Sequence, residues 1–178
     1  HNDVAPACIA VTIAKKQIAK PVADSTTFTY NGSYQTYALN GDPAFIIDNN
    51  VQKNAGSYTV TATLQDTANY EWTDGTTAVL EYTFKIEQKE IGISWSNTAL
   101  TYNGAAQRPT ATATGVVTGE QIALLLSAPE TNAGSYTAMV QGIDGETAQN
   151  YKLPAGRSTT FTIEQQALTI VWGNSNFT

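Results

Sequence analysis

The chain has very few of the residues that catalytic and disulfide-linked proteins rely on. Its single cysteine, Cys8, cannot form an internal disulfide, and its single histidine, His1, lies at the terminus. A Cys/His catalytic pair is therefore not expected. We interpret Cys8 as a small apolar residue on a strand. We predict no enzyme activity and no catalytic residues.

Charge and long apolar runs are also scarce. Only 13% of residues are charged, the net charge is −6, and no Lys/Arg cluster could neutralise several phosphates together. Nucleic acid is therefore not an expected partner. The longest apolar run, Ile122 to Leu126, is far shorter than the roughly 20 residues needed to cross a bilayer. We predict that no part of the given sequence inserts into a membrane.

The acidic residues do not indicate a metal centre. Those in predicted loops lack the regular ligand spacing of an EF-hand: Asp42, Asp48, Asp66, Asp74, Asp144 and Glu146. We predict no metal site and no cofactor. Two possibilities stay open, calcium held by scattered ligands and a Lys-to-Asn isopeptide bond, with Lys85 or Lys152 as candidates for the latter.

Internal repetition is the clearest feature of the sequence. The residues NAGSY at Asn54–Tyr58 return at Asn132–Tyr136, an offset of 132 − 54 = 78. Three further landmarks recur in the same order: FTYNG/LTYNG at 28–32 and 100–104, NY at 69–70 and 150–151, and FKIEQ/FTIEQ at 84–88 and 161–165. Such periodicity predicts tandem structural units, here of about 75 residues.

The repeat landmarks also suggest boundaries. We predict repeat 1 over residues 14–88 and repeat 2 over 89–165. Residues 1–13 match the last strand of a repeat, because Val11–Ile13 aligns with Phe84–Ile86. Residues 166–178 match an opening strand, because Leu168–Trp172 aligns with Ile91–Trp95. We expect a slice of a longer array.

Apolar residues alternate with polar ones, which is the period of a half-buried strand. Tyr58, Val60, Ala62 and Leu64 alternate with serine and threonine, and Tyr82–Ile86 behaves likewise. Shorter strands are predicted at 28–30, 34–38, 45–48, 77–80, 98–102, 110–114, 122–126 and 138–141. A short helix is an alternative for 119–127, where we prefer a strand because the aligned residues Ala44–Asp48 have high β-propensity. The predicted fold class is all-β.

The repeated NAGSY predicts a structural corner rather than a chemical site. An Asn, then Gly, then Tyr at the start of an alternating strand is the pattern of the tyrosine corner of immunoglobulin-like sandwiches. We expect Gly56 and Gly134 to adopt positive φ, Asn54 and Asn132 to hydrogen-bond nearby backbone, and the hydroxyls of Tyr58 and Tyr136 to tie across the corner. Exposed rings that stack on sugars are the alternative.

Together, YNG, NAGSYT, NY and FxIxQ resemble the bacterial immunoglobulin-like surface repeats known as MBG-type domains. Repeat 2 is the closer match, and repeat 1 is similar to a sister subtype. The resemblance implies two tandem immunoglobulin-like β-sandwich repeats in a large secreted or cell-wall-attached adhesin-like protein, with no catalytic residues to carry over. The chain departs from antibody domains because Val60 and Ala138 stand where the second cysteine would be. A β-grasp fold is the alternative.

Two tryptophan positions of the repeat scheme have both a packing and a ligand-binding interpretation. Trp95 and Trp172 are equivalent in the repeat scheme, and their apolar neighbours favour burial. Trp72 lies beside Asp74 in a predicted loop, where packing and a sugar contact are both possible readings. We favour packing and keep Trp72 and Asp74 as candidate ligand contacts.

The connection between the repeats carries the functional hypothesis. Ile86 to Ile91 contains no Gly, Pro or Ser, so its composition does not indicate a flexible linker. We expect a non-enzymatic stalk on the bacterial cell surface, with neighbouring repeats of the same chain as partners and stacked as a semi-rigid rod. The alternative is an adhesion module that binds glycan or a host surface protein through its variable loops, including the six-residue insertion around 118–126.

Overall fold

The chain forms an all-β structure, which we describe from a computed structural model for residues 11–23, 27–40, 43–171 and 173. It divides into two compact units. Unit 1 runs to Phe28 and then from Ser33 to Glu87, whereas unit 2 takes Thr29–Gly32 and the chain from Gln88 onwards. A tripeptide that belongs to repeat 1 in sequence, Tyr30–Gly32, therefore belongs to unit 2 in space.

The described residues of unit 1 form ten short strands. They are β1 (Lys16–Ile18), β2 (Val22–Ala23), β3 (Thr27–Thr29), β4 (Gln35–Thr36), β5 (Leu39–Asn40), β6 (Phe45–Asp48), β7 (Val51–Gln52), β8 (Gly56–Leu64), β9 (Tyr70–Trp72) and β10 (Leu80–Glu87). The largest sheet has the order β3-β10-β8-β6, and β8 pairs antiparallel with both β10 and β6. Three strand pairs accompany it: β2 with β5 and β4 with β7, both antiparallel, and β1 with β9, parallel.

The core of unit 1 follows from the period-two pattern of β8 and β10. Val60, Ala62 and Leu64 are buried, as is Phe84 on the neighbouring strand, while the intervening threonines are exposed or half-buried. The Phe84 ring has three aromatic neighbours at centroid distances of 5.1 Å (Phe28), 5.5 Å (Tyr37) and 6.0 Å (Tyr58). Such aromatic packing supplies most of the apolar area that a small sheet can bury.

Eight strands and one short 3-10 helix lie in the part of unit 2 that the structure describes. They are β11 (Lys89–Glu90), β12 (Gly92–Ser96), β13 (Ala99–Thr101), β14 (Thr110–Thr114), β15 (Ala123–Leu126), β16 (Gly134–Asp144), the 3-10 helix Ala148–Asn150, β17 (Tyr151–Lys152) and β18 (Ser158–Glu164). Its main sheet has the order β13-β18-β16-β15, with β13 parallel to β18 and the other pairs antiparallel. The pairs β12–β14, antiparallel, and β11–β17, parallel, complete the unit.

Two layers enclose the core of unit 2. Ala138, Phe161 and Ile163 form a buried cluster on β16 and β18, and Trp95 from β12 packs against it. The chain passes from one layer to the other between β12 and β13, where Asn97 has φ = 57°. Asparagine tolerates this left-handed conformation better than most residues. The arrangement fits a β-sandwich.

The two units use the same pattern of strand pairing. In unit 1, β1 pairs parallel with β9 and β2 pairs antiparallel with β5. In unit 2, β11 pairs parallel with β17 and β12 pairs antiparallel with β14. In each unit the partner of the first strand directly follows the long central strand, β8 or β16. The order β3-β10-β8-β6 in unit 1 corresponds to β13-β18-β16-β15 in unit 2. Even the β4–β7 pair has a counterpart, the isolated bridge between Gln107 and Glu130.

The all-β prediction is confirmed, and so is the strand in 119–127, which appears as β15. The predictions at the edges of the repeats differ from the structure. Residues 11–13 and 168–171 lie in no strand and are exposed, because no neighbouring strand pairs with them in the described part of the chain. Residues 77–79 likewise precede β10 rather than belong to it. Residues 1–10, Trp172 and 174–178 lie outside the described residues.

Candidate functional site

Both NAGSY segments place a tyrosine hydroxyl on the backbone four residues earlier. Tyr58 Oη donates a hydrogen bond of 2.8 Å to the carbonyl oxygen of Asn54, and Tyr136 Oη donates one of 3.0 Å to that of Asn132. Each bond spans the bend at which β8 or β16 begins. The accepting atom is a main-chain oxygen, so these two bonds do not themselves require asparagine.

The glycines of the two segments have a different role from the one predicted. Neither Gly56 nor Gly134 has a positive φ, so the expectation of a left-handed corner is wrong. A Cβ at Gly56 would lie 3.2 Å from the Tyr58 hydroxyl, and one at Gly134 would lie 3.0 Å from the Tyr136 hydroxyl. Glycine is needed because the tyrosine folds back over it.

The two tyrosine rings lie on the core side of their strands. Tyr58 packs against Phe84 at 6.0 Å, and Tyr136 packs against Phe161 at 5.6 Å. Both rings are half-buried. This position favours anchoring over the alternative of two exposed platforms for sugar stacking.

Trp72 does not lie in an exposed loop, as the ligand-contact interpretation required. It ends β9, is 0% exposed, and its indole N–H donates to the carbonyl of Ala78 at 2.7 Å. Asp74 is exposed and accepts a hydrogen bond from the Lys20 ammonium at 2.5 Å and one from the Thr76 hydroxyl at 2.7 Å. The bond from Lys20 holds the pKa of Asp74 at about 2. Trp72 therefore fills the core, and Asp74 organises a turn.

The acidic residues that the structure describes are dispersed over both units. Within the described ranges, no group of three or more His, Cys, Asp or Glu side chains is arranged to hold an ion. Asp42 lies outside those ranges. The two lysines named as isopeptide candidates form surface ion pairs, Lys85 with Glu87 at 2.6 Å and Lys152 with Glu90 at 3.8 Å. The described part of the chain also contains no helix long and apolar enough to span a bilayer.

The most distinctive polar arrangement is a buried cluster in unit 2. The hydroxyl of Tyr30 donates to Oε1 of Glu120, and the hydroxyl of Tyr151 donates to Oε2 of the same carboxylate at 2.6 Å. The backbone N–H of Val117 donates to the Tyr151 hydroxyl at 3.0 Å. The two rings meet edge to face at 5.6 Å and 85°. We call Glu120, Tyr151, Val117 and the neighbouring Asn150 the tyrosine socket, and Tyr30 is the residue that fills it.

Local backbone structure positions each part of the tyrosine socket. Glu120 lies at the end of a turn closed by a 3.0 Å bond from its N–H to the carbonyl of Val117, with Gly119 at φ = 88°. Tyr151 opens β17 directly after the 3-10 helix, whose last residue, Asn150, is fully buried. The carboxylate comes from the insertion that distinguishes repeat 2 from repeat 1.

The segment that fills the socket is constrained at its glycine. Gly32 has φ = 80°, and a Cβ placed on it would lie 2.5 Å from Cγ1 of Val117. Any side chain would therefore be strained and would clash with the socket. Tyr30 itself is only 2% exposed. Tyr30 and Gly32, the residues on either side of Asn31, therefore both contact the tyrosine socket.

Burial determines the acid–base behaviour of the two phenols. It raises the pKa of Tyr30 to about 12, aided by the hydrogen bond to Glu120, while a hydrogen bond with Asn150 acts in the opposite direction. Burial and the bond to Glu120 also raise the pKa of Tyr151. Both phenols therefore stay protonated at neutral pH and serve as donors. Both hydroxyls of the cluster donate to Glu120 of the same chain.

Sequence reasoning found the components of this cluster only as landmarks of the repeat. Tyr30, Asn150 and Tyr151 belong to the aligned landmarks, and Glu120 lies in the segment 119–127, for which a short helix was the alternative. The recurrence of YNG and NY at fixed spacing was the available signal. No spacing rule connects Tyr30 with a carboxylate ninety residues later in the chain.

One open groove of unit 2 has no aromatic residue in its lining. This groove, of about 420 Å³, lies between β14 and β15 and is lined by nine residues, none of them aromatic: Ala111, Thr112, Ala113, Val116, Glu120, Gln121, Ile122, Ala123 and Leu124. Sugar recognition commonly depends on stacking against such rings. No family model, curated protein or solved structure matches the chain.

Proposed function

We propose that this chain is a non-enzymatic stalk segment of an extracellular, adhesin-like protein of the bacterial cell surface. Its two units would be tandem immunoglobulin-like β-sandwich repeats of the MBG type, stacked as a semi-rigid rod. The resemblance of the YNG, NAGSYT, NY and FxIxQ motifs supports the family and the location. The common strand pairing of the two units supports the repeat organisation.

The observation that carries the stalk proposal is the connection between the units. β10 ends at Glu87 and β11 begins at Lys89, so only Gln88 separates the two strands. A flexible tether requires several residues without regular structure. A one-residue connection between repeats suits a function that depends on length and stiffness.

The binding alternative has lost its best candidate residue. Trp72, the aromatic residue on which a glycan contact depended, is buried in the core. What remains is the loop region around residues 118–126, where Glu120 accepts bonds from two tyrosines. The stalk proposal is therefore the better supported of the two.

Small-angle X-ray scattering tests the rod directly. We expect the pair-distance distribution of the native chain to be that of an elongated particle of fixed maximum dimension. The matched control combines a flexible Gly/Ser insertion of about ten residues after Gln88 with Tyr30→Ala, which removes the hydrogen bond to Glu120, and it should broaden the distribution. Indistinguishable curves for the two proteins would refute the semi-rigid rod.

A glycan array and a mucin pull-down test the alternative. The stalk proposal predicts no saturable binding by the native chain. Saturable binding that is lost when residues 118–126 are replaced by the shorter connection of repeat 1, with the fold retained, would instead support an adhesion module.

A further inference from the structure

A second copy of the segment that fills the tyrosine socket lies in unit 2. Tyr102–Asn103–Gly104 follows β13 as Tyr30–Asn31–Gly32 follows β3. The backbone of this second copy is already shaped: the Tyr102 N–H donates to the Glu164 carbonyl at 2.8 Å, and Asn103 Oδ1 accepts from the Ala105 N–H at 2.9 Å. Gly104 has φ = 78°, against 80° at Gly32. The two tripeptides thus share their glycine conformation.

The surroundings of the two tripeptides are different. Tyr30 is 2% exposed, whereas Tyr102 is 39% exposed. A Cβ at Gly32 would meet Val117 at 2.5 Å, whereas one at Gly104 would meet nothing within 4 Å. The second tripeptide therefore has the conformation of the docked one without its contacts. An ordered, partly exposed tyrosine beside a left-handed glycine is a preorganised binding element, since little entropy remains to be lost on docking.

We propose that Tyr102–Asn103–Gly104 is a docking segment whose partner is a tyrosine socket of the kind built by Glu120, Asn150 and Tyr151, in another repeat of this type. The carboxylate would accept the Tyr102 hydroxyl, and a turn residue in the position of Val117 would cover Gly104. This inference rests on the proposed repeat array and names the chemistry by which one repeat recognises the next.

The structure also indicates which repeats can act as partners. Unit 1 has the Asn69–Tyr70 landmark, but Tyr70 is half-buried and has the Lys16 ammonium 5.9 Å from its ring centroid. Repeat 1 also lacks the six-residue insertion that carries Glu120 in repeat 2. A competent socket therefore needs both the Asn-Tyr pair and an insertion with an acid. Tyr102 would therefore bind repeats whose sequence contains both of these features.

The test separates the two halves of the contact in full-length chains. The triple variant Tyr30→Ala/Gly32→Val/Tyr102→Ala removes the Tyr30 hydroxyl from Glu120, displaces Gly32 from Val117 and has no docking tyrosine, whereas the native chain presents a docking segment and a filled socket. We expect a 1:1 mixture to associate when both are present at on the order of millimolar concentration, the level that a short tether supplies within one chain. Sedimentation equilibrium should then show a mass approaching twice that of either protein alone.

The control replaces the native chain by Tyr102→Ala, which should abolish the association. A mixture with the native chain that sediments as separate monomers would overturn the proposal, and so would association that persists with Tyr102→Ala. Far-UV circular dichroism checks that each variant is folded.

An extended chain provides a test that needs no open socket. Repeating residues 89–165 after Gln165 preserves the repeat register, because Gln165 is equivalent to Gln88. In this chain Tyr102→Phe should lower the melting temperature of the added repeat, just as we expect Tyr30→Phe to lower that of unit 2 by removing its bond to Glu120. No change would overturn the proposal. The scattering experiment tests only the semi-rigid rod. If it showed a flexible connection while the docking experiment was positive, the stalk proposal would be rejected and the docking of Tyr102 to a tyrosine socket would be retained.

Discussion

Removing one oxygen atom from Tyr30 should weaken unit 2, although Tyr30 belongs to repeat 1 in sequence. The variant Tyr30→Phe keeps the ring and its edge-to-face packing against Tyr151 at 5.6 Å. It deletes only the hydroxyl that donates to Glu120. The change therefore isolates one part-buried hydrogen bond.

The size of the effect follows from the type of bond. Each oxygen of Glu120 accepts a hydrogen bond from a phenol, and the charge of the carboxylate acts on Tyr30, so the bond from Tyr30 is charge-assisted. Such bonds contribute about 1.5–3 kcal/mol, against about 1 kcal/mol for bonds between neutral groups. For a unit of this size the loss corresponds to a fall in melting temperature on the order of 10 °C.

Hydrogen exchange followed by mass spectrometry assigns the loss to a unit. We expect Tyr30→Phe to reduce amide protection in β16 and β18 and to leave β8 and β10 unchanged. The matched control is Tyr82→Phe, which removes a 2.9 Å bond to the carbonyl of Pro21 within unit 1 and should show the reverse pattern. Loss of protection in β8 and β10 alone after Tyr30→Phe would refute the assignment of Tyr30 to unit 2.

Three further predictions address the same units. The pKa of Tyr30 rises from 10.0 to about 12 on folding. The part of the free energy of unfolding that depends on its protonation is therefore complete below pH 10 and is lost as pH rises towards 12. It amounts to at most about 3 kcal/mol, and urea midpoints measured between pH 9 and 12 should fall less steeply in Tyr30→Phe. Gly134→Ala should cost about 1 kcal/mol, because its Cβ would lie 3.0 Å from the Tyr136 hydroxyl, whereas Gly156→Ala, with open space around it, should be nearly neutral. Equal melting temperatures for those two variants would contradict the steric account. Trp72→Phe should destabilise unit 1 by about 2–4 kcal/mol through lost packing and the lost indole hydrogen bond, and an unchanged urea midpoint would mean that the indole is not packed as described.

Strand prediction succeeded where the pattern was local. The segments 45–48 and 110–114 were predicted with the bounds that the structure has, and the alternation of β8 and β10 predicted their buried faces. It failed at 77–79, 11–13 and 168–171, where residues of high β-propensity find no partner strand in the described chain. Propensity describes a single segment, but a strand exists only when a second segment supplies the ladder.

The NAGSY segments show how a correct location can come with a wrong mechanism. Sequence pointed to Gly56 and Gly134 as residues with left-handed backbone, whereas positive φ occurs at other glycines, including Gly32 and Gly104. The requirement at Gly56 and Gly134 is space for the tyrosine two residues later. A motif cannot distinguish the two reasons, since both exclude a Cβ.

By itself the sequence determined the all-β class, the repetition and most strand positions, because these depend on side-chain alternation and turn residues that act over a few positions. Only the tertiary structure decided that Trp72 is buried and that Tyr30 joins Glu120 and Tyr151 in unit 2. Those outcomes depend on which distant segments meet. A carboxylate in a loop insertion becomes a hydrogen-bond acceptor for two phenols only after the fold has closed around it.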